Sequence, residues 1–313
     1  MIRIVRGAAL GVTVALALAA CGGGSGGKSG GNPLDQKSGG SGGAGSVVVG
    51  SANFPESQLI GELYAQALEA KGVKVTKKFN IGSREIYFDQ VKSGGITVMP
   101  EYNGALLTTS VDKASKAVTT DQVNSELKAK LPATLEVLDS SKAEDKDSVT
   151  VNSQTAAKYH LKSIADLKSV AGQLTIGGPS EFKTRQQGLV GLESKYGLKF
   201  KKFQPFDANA QTTLVKLLKN DSIQAADLFT TDPTITANKF VVLEDPQSVF
   251  SAQNVTPLVY KSGLNETGVA ALNAVSAKLT TNDLLAMMTK VVSDKEDAST
   301  VAKDWLKQAG LGG

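Results

Sequence analysis

The sequence predicts an α/β fold built as two lobes of related plan. Three observations carry that expectation: short apolar runs alternate with helix-period stretches from Ser46 onward, two pairs of segments repeat each other's plan, and the Gly/Ser-rich stretch from Cys21 to Ala44 lacks the composition of a core. At 313 residues, with 41% hydrophobic and 20% charged side chains, the chain can bury one or two cores.

The opening segment sets the compartment. Arg3 and Arg6 precede "GAALGVTVALALAA", an apolar stretch shorter than the roughly 20 residues a membrane span needs, so residues 1–20 read as a secretion signal. It ends in Leu18-Ala19-Ala20-Cys21, and Cys21 is the sole cysteine. This tetrad resembles the bacterial lipobox, which implies lipidation at Cys21 and an extracytoplasmic protein anchored to the cell membrane. A single thiol forms no internal disulfide, so the folded body stands on its core. Residues 21–45, mostly Gly and Ser, read as a flexible tether reaching roughly 25 to 30 Å. With Arg3 and Arg6 set aside, 32 basic side chains face 30 acidic ones, so charge gives no reason to expect nucleic acid.

The folded part then alternates. "SVVVG" is a strand; "PESQLIGELYAQALEAKG" carries Leu59, Ile60, Leu63, Tyr64, Ala67 and Leu68 on one helical face, with Pro55 at its start and Gly72 at its end. "VKVTKKF" is a strand, "SREIYFDQVKSG" a helix with Ser83 as its N-cap, and "ITVM" a strand. Such alternation predicts right-handed crossovers and mostly parallel sheets. The pattern weakens between about 108 and 147, and restarts with "SVTVN", "LTIGG", "LVGLESKYG", "LKFKKF", "TTLVKLLKN" and "SIQAADLF". Three helical stretches close the chain, and Trp305 and Leu306 dock the last of them on a core.

"VKSGGITVMPEYNG" aligns without a gap on "LKNDSIQAADLFTTDP", placing Tyr102 against Phe229 at the exits of two strands. "VVVGSANFPES" and "LTIGGPSEFKTR" likewise place Phe54 against Phe182, both read as core or staple residues. In open α/β sheets, ligands bind at the carboxyl ends of the strands, where these loops lie.

The inventory argues against an enzyme. His160 is the only histidine and Cys21 belongs to the tether, so a Cys/His pair, a Ser-His-Asp triad and a histidine metal site are unavailable, and no cofactor or metal is expected. The glutamates show no spacing that sets two carboxylates across a scissile bond; Glu56 and Glu85 read as first-turn residues facing the helix dipole.

"GSANFPESQLIGELYAQALEAKG", "NIGSREIYFDQVKSGGITVMPEYNGALL", "GGPSEFKTRQQGLVGLESKYGL", "AADLFTTDPTITANKFVVLEDP" and "QNVTPLVYKSGL" resemble the glycine betaine/choline/carnitine substrate-binding proteins of osmoprotectant ABC transporters, the ProX and OpuC-type group. The resemblance runs from about Val47 to Leu311. It implies a type II periplasmic-binding-protein fold, with residues 46–148 and 255–313 as one lobe, 149–254 as the other, and a monomer delivering a small solute to a permease and ATPase. It also implies that Tyr102 is a cage ring, that Arg185 takes the ligand carboxylate and that Phe229 stands where the family has Tyr. Val149 and Gln253 fall near two further cage positions and are not aromatic, which points to fewer rings and more hydrogen bonding, from Asn53, Asn103, Gln253 and Asn254, with Asp147 at the hinge strand. A hydroxylated or sugar-like ligand, and a sensor or adhesion lipoprotein reusing the fold, are the other readings these residues leave open.

Overall fold

The computed structural model describes residues 46–312. Residues 1–45, and with them the signal, the tether and Cys21, lie outside the described residues.

The first lobe begins with β1 (Val47–Gly50), α1 (Pro55–Glu69), β2 (Val75–Lys78), α2 (Arg84–Lys92) and β3 (Val98–Tyr102). The short α3 (Asn103–Leu106), α4 (Thr120–Lys130) and β4 (Leu135–Val137) follow. α4 occupies the stretch where the apolar alternation fades; its start is fixed by a capping box, the Thr119 hydroxyl accepting from the Gln122 backbone and the Gln122 side chain accepting from Thr119.

The second lobe contains β5 (Asp147–Val151), α5 (Ser153–Tyr159), β6 (Thr175–Pro179), α6 (Leu189–Tyr196) and β7 (Lys202–Phe206). It is completed by α7 (Gln211–Lys219), β8 (Ala225–Phe229), α8 (Pro233–Ala237) and β9 (Val241–Val242). β10 (Val255–Tyr260) then returns to the first lobe, and α9 (Glu266–Lys278), α10 (Thr281–Met288) and α11 (Ala298–Gln308) cover it.

The two sheets share one plan. Their orders are β2-β1-β3-β10-β4 and β7-β6-β8-β5-β9, so β3 corresponds to β8 and β1 to β6. The aligned segments of the sequence therefore occupy equivalent places, and Tyr102 and Phe229 are each the last residue of the equivalent strand. Each sheet departs from the parallel expectation at one strand: β10 runs antiparallel to β3 and β4, and β5 antiparallel to β8 and β9. The cause is the route of the chain, because a strand arriving from the other lobe enters its sheet from the cleft edge and must run against its neighbours. The two crossings lie side by side, bridged at Glu144 and Asn254. The first crossing thus precedes β5, a few residues before the expected boundary at 148.

Each sheet is covered on both faces. In the first lobe α1 lies between the sheet and the C-terminal helices, with Leu59, Leu63 and Leu68 in one cluster with Val301, Trp305 and Leu306; α2 and α4 cover the other face through Tyr87, Val91, Val123 and Leu127. In the second lobe Val149 and Ile176 join one cluster, and Leu214, Leu218 and Ile223 the other. These clusters hold the carboxyl ends of β1, β3, β6 and β8 rigidly around the space between the lobes.

Candidate functional site

A cavity lies between the lobes, lined from the first by Asn53, Phe54, Arg84 and Tyr102 and from the second by Asp147, Arg185, Asp227 and Phe229.

Its most regular feature is a series of three rings. Phe54 stacks on Tyr102 at 6.2 Å between centroids and on Phe229 at 5.4 Å, with interplanar angles of 29° and 28°. Tyr102 and Phe229 are thus not directly opposed, because Phe54 stands between them. Phe54 immediately precedes α1 in an extended conformation (φ −137°, ψ 154°), and Pro55 starts the helix. That geometry brings the half-buried ring to the cavity and to Phe229 of the second lobe while it also packs against both core clusters of the first, so Phe54 is more than the core or staple residue it reads as. Phe182, its counterpart, is 2% exposed and stacks on Phe203 and Phe250 within its own lobe, although one side borders the cavity.

Tyr102 presents its ring to the cavity while its hydroxyl is engaged behind it. The hydroxyl donates to Glu56 Oε1 at 2.6 Å, and Thr231 Oγ1 of the second lobe donates to Glu56 Oε2 at 2.5 Å. Glu56 is therefore a tie between the lobes beyond its first-turn placement. Burial pushes its carboxyl up, against the lowering effect of the Thr231 and Tyr102 hydroxyls. Asp145, on the first crossing, accepts from the Thr231 backbone N–H at 2.9 Å, and burial followed by the nearby Glu56 holds its carboxyl well above the usual range.

Arg185 lines the cavity, and its guanidinium is paired across the cleft, Nε and Nη2 donating to the two Glu85 oxygens at 3.1 and 3.0 Å. Partial burial raises the Glu85 carboxyl, but the hydrogen bond and charge of Arg185 prevail and push it down to about 2. Ser83 is the N-cap residue of α2 and borders the cavity, yet its hydroxyl caps no backbone N–H. The neighbouring Arg84 is buried and donates to both oxygens of Glu101, at 2.9 and 2.7 Å, with the Tyr87 hydroxyl adding a bond to Oε1 at 2.8 Å. Both arginines of the lining are therefore already matched by carboxylates.

Gln253 reaches the cavity from the second crossing. Its amide donates to Asp147 Oδ2 at 2.8 Å and to Gln187 Oε1 at 3.0 Å, while Gln187 donates to Thr108 Oγ1 of the first lobe at 3.1 Å. Burial raises the Asp147 carboxyl, with Gln253 opposing the shift. Asn53 also lines the cavity, and its buried Oδ1 accepts no hydrogen bond among the described residues.

The sequence also assigns Asn103 and Asn254 to the ligand, and the structure corrects both. Asn103 is fully buried, donates to Asn124 Oδ1 at 2.9 Å and accepts from the backbone N–H groups of Gly104 and Asn254, each at 2.8 Å. Asn254 accepts from Thr120 Oγ1 at 2.8 Å and donates to the Ser141 carbonyl at 3.1 Å. Successive residues of an extended chain point to opposite sides, so with Tyr102 and Gln253 turned to the cavity their neighbours turn to the hinge and bind it together. Val149 is likewise buried in the second lobe's core and does not border the cavity.

The residue that sequence reasoning missed is Asp227. It precedes Phe229 by two on β8, on the same face, and the register sets Asp147 opposite Phe229 and Val149 opposite Asp227. Asp147 and Asp227 are therefore diagonal neighbours that both border the cavity. Alternation in "ADLF" was the signal, once Phe229 was assigned to the cleft. Among the described residues no group of His, Cys, Asp or Glu is arranged to hold a metal, and no helix is long and apolar enough to cross a membrane.

Known proteins share this fold. Residues 45–308 match the family model described as the substrate-binding domain of the ABC-type glycine betaine transport system. Over 276 residues the chain is 29% identical to the glycine betaine-binding protein YehZ of Escherichia coli (strain K12), covering 84% of this chain and 90% of YehZ. It is 22% identical over 272 residues to the carnitine transport binding protein OpuCC of Listeria monocytogenes, covering 84% of this chain and 86% of OpuCC. Among solved structures, a glycine betaine/carnitine/choline ABC transporter protein superposes with a TM-score of 0.67 at 21% identity, covering 85% of this chain and 99% of the other. Ligand-free YehZ from Escherichia coli superposes with a TM-score of 0.60 at 25% identity, covering 86% and 100%. The fold is that of the type II periplasmic-binding proteins, and with the family model matched over nearly all the described residues, the chain belongs to the family of substrate-binding domains of ABC-type glycine betaine transport systems.

Proposed function

We propose that this protein captures a small quaternary ammonium solute between its lobes and hands it to the permease of an ABC importer, held to the membrane by a lipid on Cys21. The observation that carries the reading is the ring series Tyr102, Phe54 and Phe229, which brings aromatic faces from both lobes to one cavity. A cation over such faces gains about 0.5 to 2 kcal/mol for each ring it meets, depending on how fully water is excluded. Because the rings belong to different lobes, the cation favours the arrangement that brings the lobes together, which is how ligand drives closure. The names of the relatives support the same class of ligand, as glycine betaine and carnitine both carry a trimethylammonium head.

Phe54 supplies the third ring that Val149 and Gln253 do not. Arg185 stands ready for a ligand carboxylate, in exchange for its bond to Glu85. A thermal-shift titration of the purified protein with choline, carnitine and glycine betaine tests the reading. A bound solute raises the melting temperature with concentration, and an unchanged melting temperature with all three refutes the assignment.

A further inference from the structure

We propose that Asp227, together with Asp147, is the specificity element of the cleft, and that it selects a quaternary ammonium solute bearing a hydroxyl or N–H donor over one whose polar groups only accept. The inference rests on the quaternary ammonium reading above and narrows it to donor-bearing cations such as choline and carnitine.

Charge and hydrogen-bond accounting lead there. Asp227 is 5% exposed, borders the cavity, and its Oδ1 accepts no hydrogen bond among the described residues. A buried carboxylate oxygen left unpaired is costly, and a ligand that pairs it recovers that cost. The charged and titratable groups around Asp227 are Asp147 on β5, Glu181 and Arg185 after β6, and, from the first lobe, Arg84, Tyr87 and Tyr102. Arg185 attracts both acids and Arg84 attracts Asp147, but each guanidinium makes its direct ion pair elsewhere, Arg84 with Glu101 and Arg185 with Glu85. Among the described residues the acid pair on one face of β5 and β8 therefore has no cation in direct contact with it, and it lies beside rings suited to receive one.

The second unpartnered acceptor, Asn53 Oδ1, borders the same cavity from the first lobe. Unpartnered acceptors on cavity-lining residues of both lobes favour a ligand that donates. Glycine betaine has no donor, whereas choline and carnitine each offer a hydroxyl. Burial, then the charge of Asp147, holds the Asp227 carboxyl well above its usual range, with Arg185 opposing the shift.

Calorimetric titration of the purified protein with choline, carnitine and glycine betaine tests the inference. The wild-type protein is expected to bind choline or carnitine at least tenfold more tightly than glycine betaine. Asp227→Asn is expected to bring the ratio to about threefold or less. Asp227→Asn keeps the shape of the side chain and should leave the melting temperature unchanged, so loss of selectivity is separable from loss of fold. Equal or tighter betaine binding by the wild type, or a ratio unaltered in Asp227→Asn, overturns the role of Asp227 while leaving the quaternary ammonium reading intact. No binding of any of the three solutes by the wild type overturns both.

Discussion

Phe54 and Phe229 stack at 5.4 Å between centroids, one ring from the loop after β1 of the first lobe and the other from the end of β8 in the second. A contact of this kind between lobes joins the affinity for ligand to the position of the lobes. Phe54→Ala, Tyr102→Ala and Phe229→Ala are each expected to weaken binding of a quaternary ammonium solute by about tenfold, near 1.4 kcal/mol. Phe182→Ala should instead lower stability by about 3 to 5 kcal/mol, because Phe182 is a core ring of its lobe. Titration calorimetry and denaturant unfolding separate the two effects.

The pair of Arg185 and Glu85 makes a second prediction. Arg185→Gln should weaken carnitine, which has a carboxylate, by tenfold or more, and choline, which has none, by about threefold at most. Glu85 is a depressed acid, so its contribution is complete above its ordinary value of 4.5 and is lost only as pH falls toward about 2. The effect of Arg185→Gln measured by calorimetry should therefore be the same at pH 5 and pH 8.

A third concerns the support behind the site. The Arg84 and Glu101 side chains are 7% and 0% exposed. Arg84→Met leaves Glu101 charged and buried, and should cost about 3 to 5 kcal/mol in urea unfolding. Arg84→Met combined with Glu101→Leu removes both charges and is expected to recover much of that loss, since replacing a whole buried pair is commonly close to neutral.

The hinge acid gives a pH dependence of opposite sign to that of Glu85. Asp145 is 1% exposed, its Oδ2 lacks a hydrogen-bond partner among the described residues, and its folded pKa is raised. A raised acid holds its proton more tightly folded than unfolded, so stability falls as pH climbs from the unfolded value of 3.8 through the higher folded one. Asp145→Asn should therefore stabilise by about 1 kcal/mol or more at pH 8 and by much less at pH 4, as read from melting temperatures.

The alternation of strands and helices was legible in the sequence because apolar spacing records burial directly. The paired segments ending at Tyr102 and Phe229 likewise reported the shared sheet order. α4 was obscured because its mean hydropathy is low and only Val123 and Leu127 are buried. Its start was nevertheless written in Thr119 and Gln122 as a capping box. The antiparallel β5 and β10 were not legible, since strand direction depends on where the chain re-enters a sheet. Among site residues, strand parity decided the outcome: Gln253 faces the cavity and Asn254 the hinge, a distinction of one residue in a crossing whose register the sequence does not mark. Asp227 went unseen because an acid inside an apolar strand carries no sign of what it faces until the neighbouring strand is in place.

The central claim is that the cleft recognises a positive charge on its aromatic faces. Calorimetry with choline and with 3,3-dimethyl-1-butanol, its uncharged carbon counterpart of the same shape, isolates that charge. Choline is predicted to bind saturably and the alcohol at least tenfold more weakly, with the difference shrinking in the double variant Phe54→Ala and Phe229→Ala. Equal affinity for the two, or binding of neither, would contradict the account.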